Sequence, residues 1–237
     1  MINNKLIIHV HVLCWNEEVL IPYFLDHYSF AQKIIVYDNE SDDNSIALLN
    51  ADSRVELKMN RTDGQIRDDG YLEIKNNDWK ESRGEADYVI VCDMDEFLYH
   101  SHIVNFLSFA AQMGYTIFKP VGYQMLGKPF TKKMGMKLPS RDKTMMFNPN
   151  KIEEINYEPG AHECNPVGEI KLWKTNDLKM LHYKWLNLYY VIARYQKYQA
   201  RLSDINLEQD WGAHYLSKEA ELKTYYGNLV QLVKEIK

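Results

Sequence analysis

Cysteine is scarce in this chain. Three occur in 237 residues, Cys14, Cys92 and Cys164, far apart and with no CxxC among them. An odd, scattered set argues against a disulfide framework and a structural zinc site, and favours a reducing compartment. Long apolar runs are missing as well. No stretch of about 18 apolar residues occurs, so no membrane span is expected. The first residues do not show a basic segment leading into a long apolar one, the mark of a leader peptide. The expectation is a soluble, cytoplasmic protein. Positive charge is in short supply, with a net charge of −5, which gives no support to general nucleic-acid binding. Internal repeats, low-complexity tracts and a clear linker are absent too. With 46% hydrophobic and 26% charged residues, the chain suits one large domain whose core needs no disulfides.

What is there, over the first hundred residues, is an alternation of strand and helix. Leu6–Leu13 (LIIHVHVL), Lys33–Tyr37 (KIIVY), Val55–Met59 and Tyr88–Cys92 (YVIVC) are short β-rich runs. Between them, Pro22 suits the first turn of a helix through about Phe30. Asp42 or Asp43 is placed to cap a short helix over Ser45–Leu49. A polar helical stretch is expected between about Gln65 and Arg83. Continuous apolar strands separated by helices imply a parallel sheet covered on both faces, with the ligand site at the carboxyl ends of the strands. Three of those ends are chemically loaded: CWNEE (14–18), DNESDD (38–43) and DMDE (93–96).

The pattern then changes. Ile103, Phe106, Leu107 and Ala110 have the spacing of an amphipathic helix, and Tyr115–Leu126 reads as extended. Residues 127–151 carry six lysines and Arg141 against the single acid Asp142; they are expected as a long basic loop, either solvated or a lid over an anionic ligand. Short strands near Ile170–Trp173 and Leu178–Tyr183 precede two helices, Leu188–Leu202 and one capped by Ser217.

Asp93 and Asp95 repel one another unless something positive sits with them. A divalent cation is the simplest partner, and an oxygen set favours Mg2+, Mn2+ or Ca2+ over zinc. A lone D-x-D is common by chance; it gains weight directly after a buried parallel strand beside two other polar strand ends.

Taken in order, CWNEE, VYDNESDDNS (36–45) and WKESRGEADYVIVCDMDEFL (79–98) resemble the nucleotide-sugar half of GT-A glycosyltransferases, closest to the family 2 type. The resemblance implies an α/β fold with a mainly parallel, Rossmann-like central sheet and helices on both faces. It implies a single domain over 1–237, with residues 1–98 as the nucleotide-sugar half and 99–237 as the acceptor half. By it, Cys14, Trp15, Asn16 and Glu17 would line the base pocket, Asp38 would accept hydrogen bonds from base or ribose, and Asp93 would contact the donor. Asp93 and Asp95 would serve a Mn2+ or Mg2+ ion, with His182 as a third ligand. The implied reaction moves a sugar from a nucleotide diphosphate, UDP by default, to an acceptor hydroxyl with inversion. A glycan or lipid-linked acceptor, and with it peripheral membrane contact, is consistent with this. Two departures stand out: DNES replaces a DDGS-like strand end, and no Glu-Asp pair on a later helix offers the usual base. His162 and Glu163, in the turn-rich GAHECNPVG, are the candidates for it, followed by Asp142.

Other features have plain alternatives. His9 and His11 share a strand face, where packing with a local hydrogen bond competes with zinc. Arg194, Lys197 and Arg201 fall on one helix face, for phosphate or for solvent. Tyr189, Tyr190, Tyr195 and Tyr198 read as core, or as a sugar platform. A catalytically inactive nucleotide-binding scaffold is the non-enzymatic alternative. A D-x-D phosphotransferase is the other, although Phe97 stands where that chemistry places Thr or Val.

Overall fold

In a computed structural model describing residues 6–236, the four apolar runs become adjacent parallel strands. They are β1 (Ile8–Cys14), β2 (Lys33–Asp38), β3 (Val55–Met59) and β4 (Tyr88–Asp93). Between them lie α1 (Ile21–His27), α2 (Ser45–Asn50) and α3 (Asp68–Asn77), the last running into a 3-10 stretch over Asp78–Ser82. The chain continues through β5 (Glu96–Tyr99), α4 (Ile103–Gln112), β6 (Ile117–Phe118), β7 (Val121–Leu126), β8 (Met134–Lys137) and β9 (Met146–Phe147). After β10 (Ile152–Glu154), β11 (Val167–Gly168), β12 (Leu172–Trp173) and β13 (Lys179–Trp185) come α5 (Leu188–Gln199), α6 (Asp204–Glu208), α7 (Glu219–Leu232) and β14 (Lys234–Glu235).

The main sheet has the order β12-β6-β9-β4-β1-β2-β3, and β9 alone runs against the rest. Alternation along its strands separates two cores. Val10, Val12, Ile90 and Cys92 face Leu20, Phe24 and Tyr28 around α1 and Leu107 on α4. Val89 and Val91 face the other way, onto Trp79, Phe147 and Tyr157. Each such fully buried side chain contributes about 1.5–3 kcal/mol. The expected class is the observed one: a mainly parallel sheet covered on both faces.

A second sheet, β14-β8-β7-β13-β5, stands beside the first. The chain crosses from one to the other at Met94–Asp95, between the last residue of β4 and the first of β5. Met94 is buried in the core and anchors the crossing, so the flanking acids are held at the seam between the sheets.

His9 and His11 are hydrogen-bonded, not zinc-binding. His9 Nδ1 and His11 Nε2 both lie 2.9 Å from Ser82 Oγ, and His11 Nδ1 lies 2.9 Å from Tyr37 OH. At the final helix Lys218, not Ser217, occupies the N-cap position, and its N–H donates to Glu221 at 2.9 Å. A capping acid three residues in satisfies one of the free backbone donors of that end.

Residues 127–151 are not the basic loop expected. They hold β8, a 3-10 turn over Pro139–Arg141, and β9. Met145, Met146 and Phe147 are fully buried, as is Lys143. A two-residue strand inside TMMF is too short to register as periodicity, and the lysine count masked it.

Candidate active site

A cavity of about 540 Å3 opens where β1 and β4 end. β1 delivers Trp15 and Glu17, and the β4–β5 crossing delivers Asp93, Asp95 and Glu96. Helix α3 presents Asp68, Tyr71 and Lys75 at helical spacing on one face, and α5 does the same with Arg194 and Tyr198. His182 and Lys184, alternate residues of β13, form another wall. The turn carrying Asp210, Trp211 and Gly212 completes it.

The carboxylates at the seam are individually partnered. Lys75 Nζ lies 2.7 Å from Asp93 Oδ1 and 3.0 Å from Oδ2, with Lys143 Nζ at 3.5 Å. Burial alone would raise the Asp93 pKa; the two ammonium groups outweigh it and hold the carboxyl below the usual range. Asp93 keeps 37% of its side chain open to the cavity, so water screens this pairing. Asp95 is nearly sealed. Its Oδ2 faces His182 Nε2 at 3.4 Å and an Arg194 nitrogen at 3.7 Å. Burial works against ionisation there as well, and His182 with Arg194 and Lys184 overrides it, leaving the carboxyl well below its ordinary value. Glu96 takes Lys143 Nζ at 2.6 Å and the Asp93 N–H at 2.9 Å. Glu17 holds Arg194 in a two-pronged contact of 2.5 and 2.8 Å.

Part of the cavity lining is aromatic, with Trp15, Tyr71 and Tyr198. The Arg201 guanidinium carbon stacks 3.6 Å from the Trp15 ring centre, and Tyr198 meets that ring edge-on at 5.1 Å. Arg201 also donates to Asn39 Oδ1 at 2.7 Å, as does Tyr71 OH at 2.6 Å. Planar rings and a guanidinium around one slot form a surface on which a base can stack.

Of the residues expected at the donor, Cys14, Trp15, Glu17 and Asp93 line the cavity; Asn16 and Asp38 do not. Asp38 is fully buried and accepts from Ser41 N at 2.9 Å and Ser41 Oγ at 2.6 Å. Asn16 pairs its side chain with Asp42 at 2.5 Å, and its N–H donates to Ser41 Oγ at 2.8 Å. Together they tie the loop after β1 to the loop after β2, behind the aromatic slot.

The two candidates for the base part company. His162 lines the cavity, with Nε2 3.4 Å from Arg141 Nη1. Burial, then the charges of Lys143 and Arg141, push its pKa down to about 3. Glu163 is exposed and does not line the cavity. Asp142 is committed to the Gly122 N–H at 2.8 Å. On α5, Arg194 lines the cavity while Lys197 faces solvent, and Tyr189 is 84% exposed whereas Tyr195 is buried; Arg201, just past the helix, stacks on Trp15.

Sequence reasoning missed Lys75, Lys143 and Lys184. Lys184 Nζ lies 2.9 Å from His214 Nε2 and within 5 Å of the Tyr195 and Tyr215 ring centres. Burial, only partly offset by Asp95, lowers its pKa to about 7. The available signal for Lys75 was its place seven residues after Asp68 on one helix face; Lys184 had only its alternation with His182.

No protein-family model and no curated protein matches the chain. Solved structures do resemble it. Staphylococcus aureus TarS is 13% identical over 81% of this chain and 39% of its own, with a TM-score of 0.49. Glucosyl-3-phosphoglycerate synthase from Mycobacterium tuberculosis, in complex with Mn2+, UDP and glucosyl-3-phosphoglycerate, is 18% identical over 49% of this chain and 44% of its own, at 0.33. 4-Diphosphocytidyl-2C-methyl-D-erythritol synthase from Anaerococcus prevotii is 13% identical over 62% and 71%, at 0.37. The chain thus spans about two fifths of the full TarS polypeptide. These are distant likenesses of fold, below the level at which a function transfers.

The residues fit a divalent ion only in part. No group of three His, Cys, Asp or Glu side chains is arranged to hold one among the described residues. Asp93 is engaged by two lysines. Asp95 Oδ2 and His182 Nε2, 3.4 Å apart, have the separation of two neighbouring ligands on one ion with bonds of about 2.1 Å. The fit is therefore a two-residue site that leaves most positions to oxygen atoms of a ligand, the usual manner of Mg2+ at phosphates.

Proposed function

We propose that this protein is a glycosyltransferase of the GT-A type, transferring a sugar from a nucleotide diphosphate to an acceptor hydroxyl. The observation that carries this reading is one cavity that brings together an aromatic slot and the Asp95–His182 pair. A base stacked between Trp15, Tyr71 and Tyr198 would extend its ribose toward Asp93 and its diphosphate toward Asp95 and His182. Those two residues would hold Mn2+ or Mg2+, and a bound ion would stabilise the charge growing on the leaving diphosphate. Arg194 would add fixed positive charge beside Asp95, and Lys184 would add charge as pH falls through about 7. Asp93, held by Lys75, would accept hydrogen bonds from the ribose hydroxyls and is left out of the metal set. Asn16 and Asp38 would act indirectly, by fixing the loops that carry Trp15. UDP is the default donor nucleotide by resemblance alone. Residues 1–98 would supply the nucleotide-sugar contacts and residues 99–237 the acceptor side, together with His182 and α5.

Calorimetry with UDP, GDP and dTDP, each with and without Mn2+, tests the reading. Metal-enhanced binding of one nucleotide is expected. Absence of binding by all three, with or without metal, would overturn it. Binding with no release of nucleotide from any sugar donor would favour the inactive-scaffold alternative, for which no specific observation speaks.

A further inference from the structure

Six carboxylates line the cavity: Glu17, Asp68, Asp93, Asp95, Glu96 and Asp210. Four are committed. Glu17 is held by Arg194, Asp93 by Lys75, Asp95 by His182 and Arg194, and Glu96 by Lys143. Only Asp68 and Asp210 carry no ion pair among the described residues. A carboxylate that must take a proton from a hydroxyl has to keep a lone pair free and be reachable by the acceptor.

The two free acids sit differently. Asp68 lies in the first turn of α3, on the same helix face as Tyr71 of the aromatic slot, and burial, only partly offset by Lys75, raises its pKa. Asp210 is exposed and stands at the start of the turn Asp210–Trp211–Gly212, four residues before His214, which touches Lys184 two places from His182. Its backbone is left-handed, at φ 56°, a region that Asp and Asn enter more readily than other non-glycine residues. The turn is fixed from below by the fully buried Asn206, whose carbonyl accepts the Trp211 N–H at 2.8 Å. Gly212 closes it at φ 70°. A turn held by the Trp211–Asn206 hydrogen bond thus presents one exposed, unpaired carboxylate to the cavity.

Resting on the transferase reading above, we infer that Asp210 is the general base that activates the acceptor hydroxyl. Asp210 takes the hydroxyl proton as that oxygen bonds to the anomeric carbon. The bond from this carbon to the diphosphate breaks, its electron pair leaving on the phosphate oxygen, and the anomeric configuration inverts. Neither His162 nor Glu163 has this role. The His162 ring is engaged with Arg141, and Glu163 does not line the cavity.

The test compares wild type, Asp210→Asn, Asp210→Glu and Asp68→Asn. Asparagine keeps the left-handed turn, so folding is preserved. UDP binding in Mn2+ is measured by calorimetry, and release of UDP to water from UDP-N-acetylglucosamine, UDP-glucose and UDP-galactose by a coupled assay. The expected result for Asp210→Asn is hydrolysis slowed about 10²–10⁴-fold, UDP affinity within about threefold of wild type, and partial activity in Asp210→Glu. Unchanged hydrolysis in Asp210→Asn, or its loss in Asp68→Asn alone, overturns the assignment while leaving the transferase reading intact. UDP binding without hydrolysis of any donor by the wild type also overturns it, because such a base activates water as it does a hydroxyl. Absence of binding of UDP, GDP and dTDP alike by the wild type sinks the transferase reading, and this assignment with it.

Discussion

Lys143 Nζ rests 2.6 Å from a Glu96 oxygen, and both side chains are closed to solvent, at 0% and 4% exposure. Removing one partner strands the other charge in the core. Lys143→Met is expected to cost about 3–5 kcal/mol, read as a lowered urea midpoint. The double variant Glu96→Gln/Lys143→Met should recover most of that loss, since a buried pair replaced as a unit is often nearly neutral. Equal destabilisation in single and double variants would show that the pair is not the source.

Asp93 and Asp95 are expected to separate in their metal behaviour. In the presence of UDP, Asp95→Asn and His182→Ala should each weaken Mn2+ binding, followed by electron paramagnetic resonance, by about 10–100-fold. Asp93→Asn should change it by less than about threefold and weaken UDP instead. A loss of Mn2+ in Asp93→Asn as large as in Asp95→Asn would return Asp93 to the metal set.

Arg201 over Trp15 is the feature most suited to a flat ligand. Arg201→Ala removes a cation–π contact worth about 0.5–2 kcal/mol and the bond to Asn39. UDP affinity should fall by roughly 3–30-fold, with Mn2+ affinity in the binary state unchanged. A titration showing UDP affinity untouched would remove the slot from the base site.

Much of this was legible in the sequence, because a strand buried on both faces is an uninterrupted apolar run and the loops at its end must be polar. β3 was read to the residue, and the four parallel strands followed from composition alone. Trp15, Asp93 and Asp95 could be placed at strand ends for the same reason, and they line the cavity. Asp38 misled: an acid at a strand end looks identical whether it meets a ligand or, as here, closes a turn onto Ser41. Lys143 was unreadable, since a lysine buried against Glu96 is distinguished from a solvated one only by a contact 47 residues away. Asp210 carried no periodic signal and became visible by the pairing of every other acid around it except Asp68.

Acidification should weaken the fold through its buried histidines. Burial lowers the pKa of His11 to about 3 and of His27 to about 4, against about 6.5 unfolded. Between those values the unfolded chain binds more protons than the folded one, so stability rises with pH across this window and falls as pH drops through it. Urea midpoints should therefore decline steadily from pH 7 to pH 4.5. A midpoint independent of pH over that range would contradict the buried, neutral state of both rings.

β9 has a consequence for how the chain acquires this shape. It enters the main sheet between β4 and β6, so β4 remains an open edge until residue 147 is in place. The crossing at Met94 likewise waits for β13, whose His182 pairs in register with Glu96. A fragment ending at residue 98 would present β4 with one unpaired edge and Glu96 without its lysine, an aggregation-prone surface. Residues 1–98 and the rest of the chain are thus obliged to fold together, late and through distant contacts, and folding should be slow for a chain of this length.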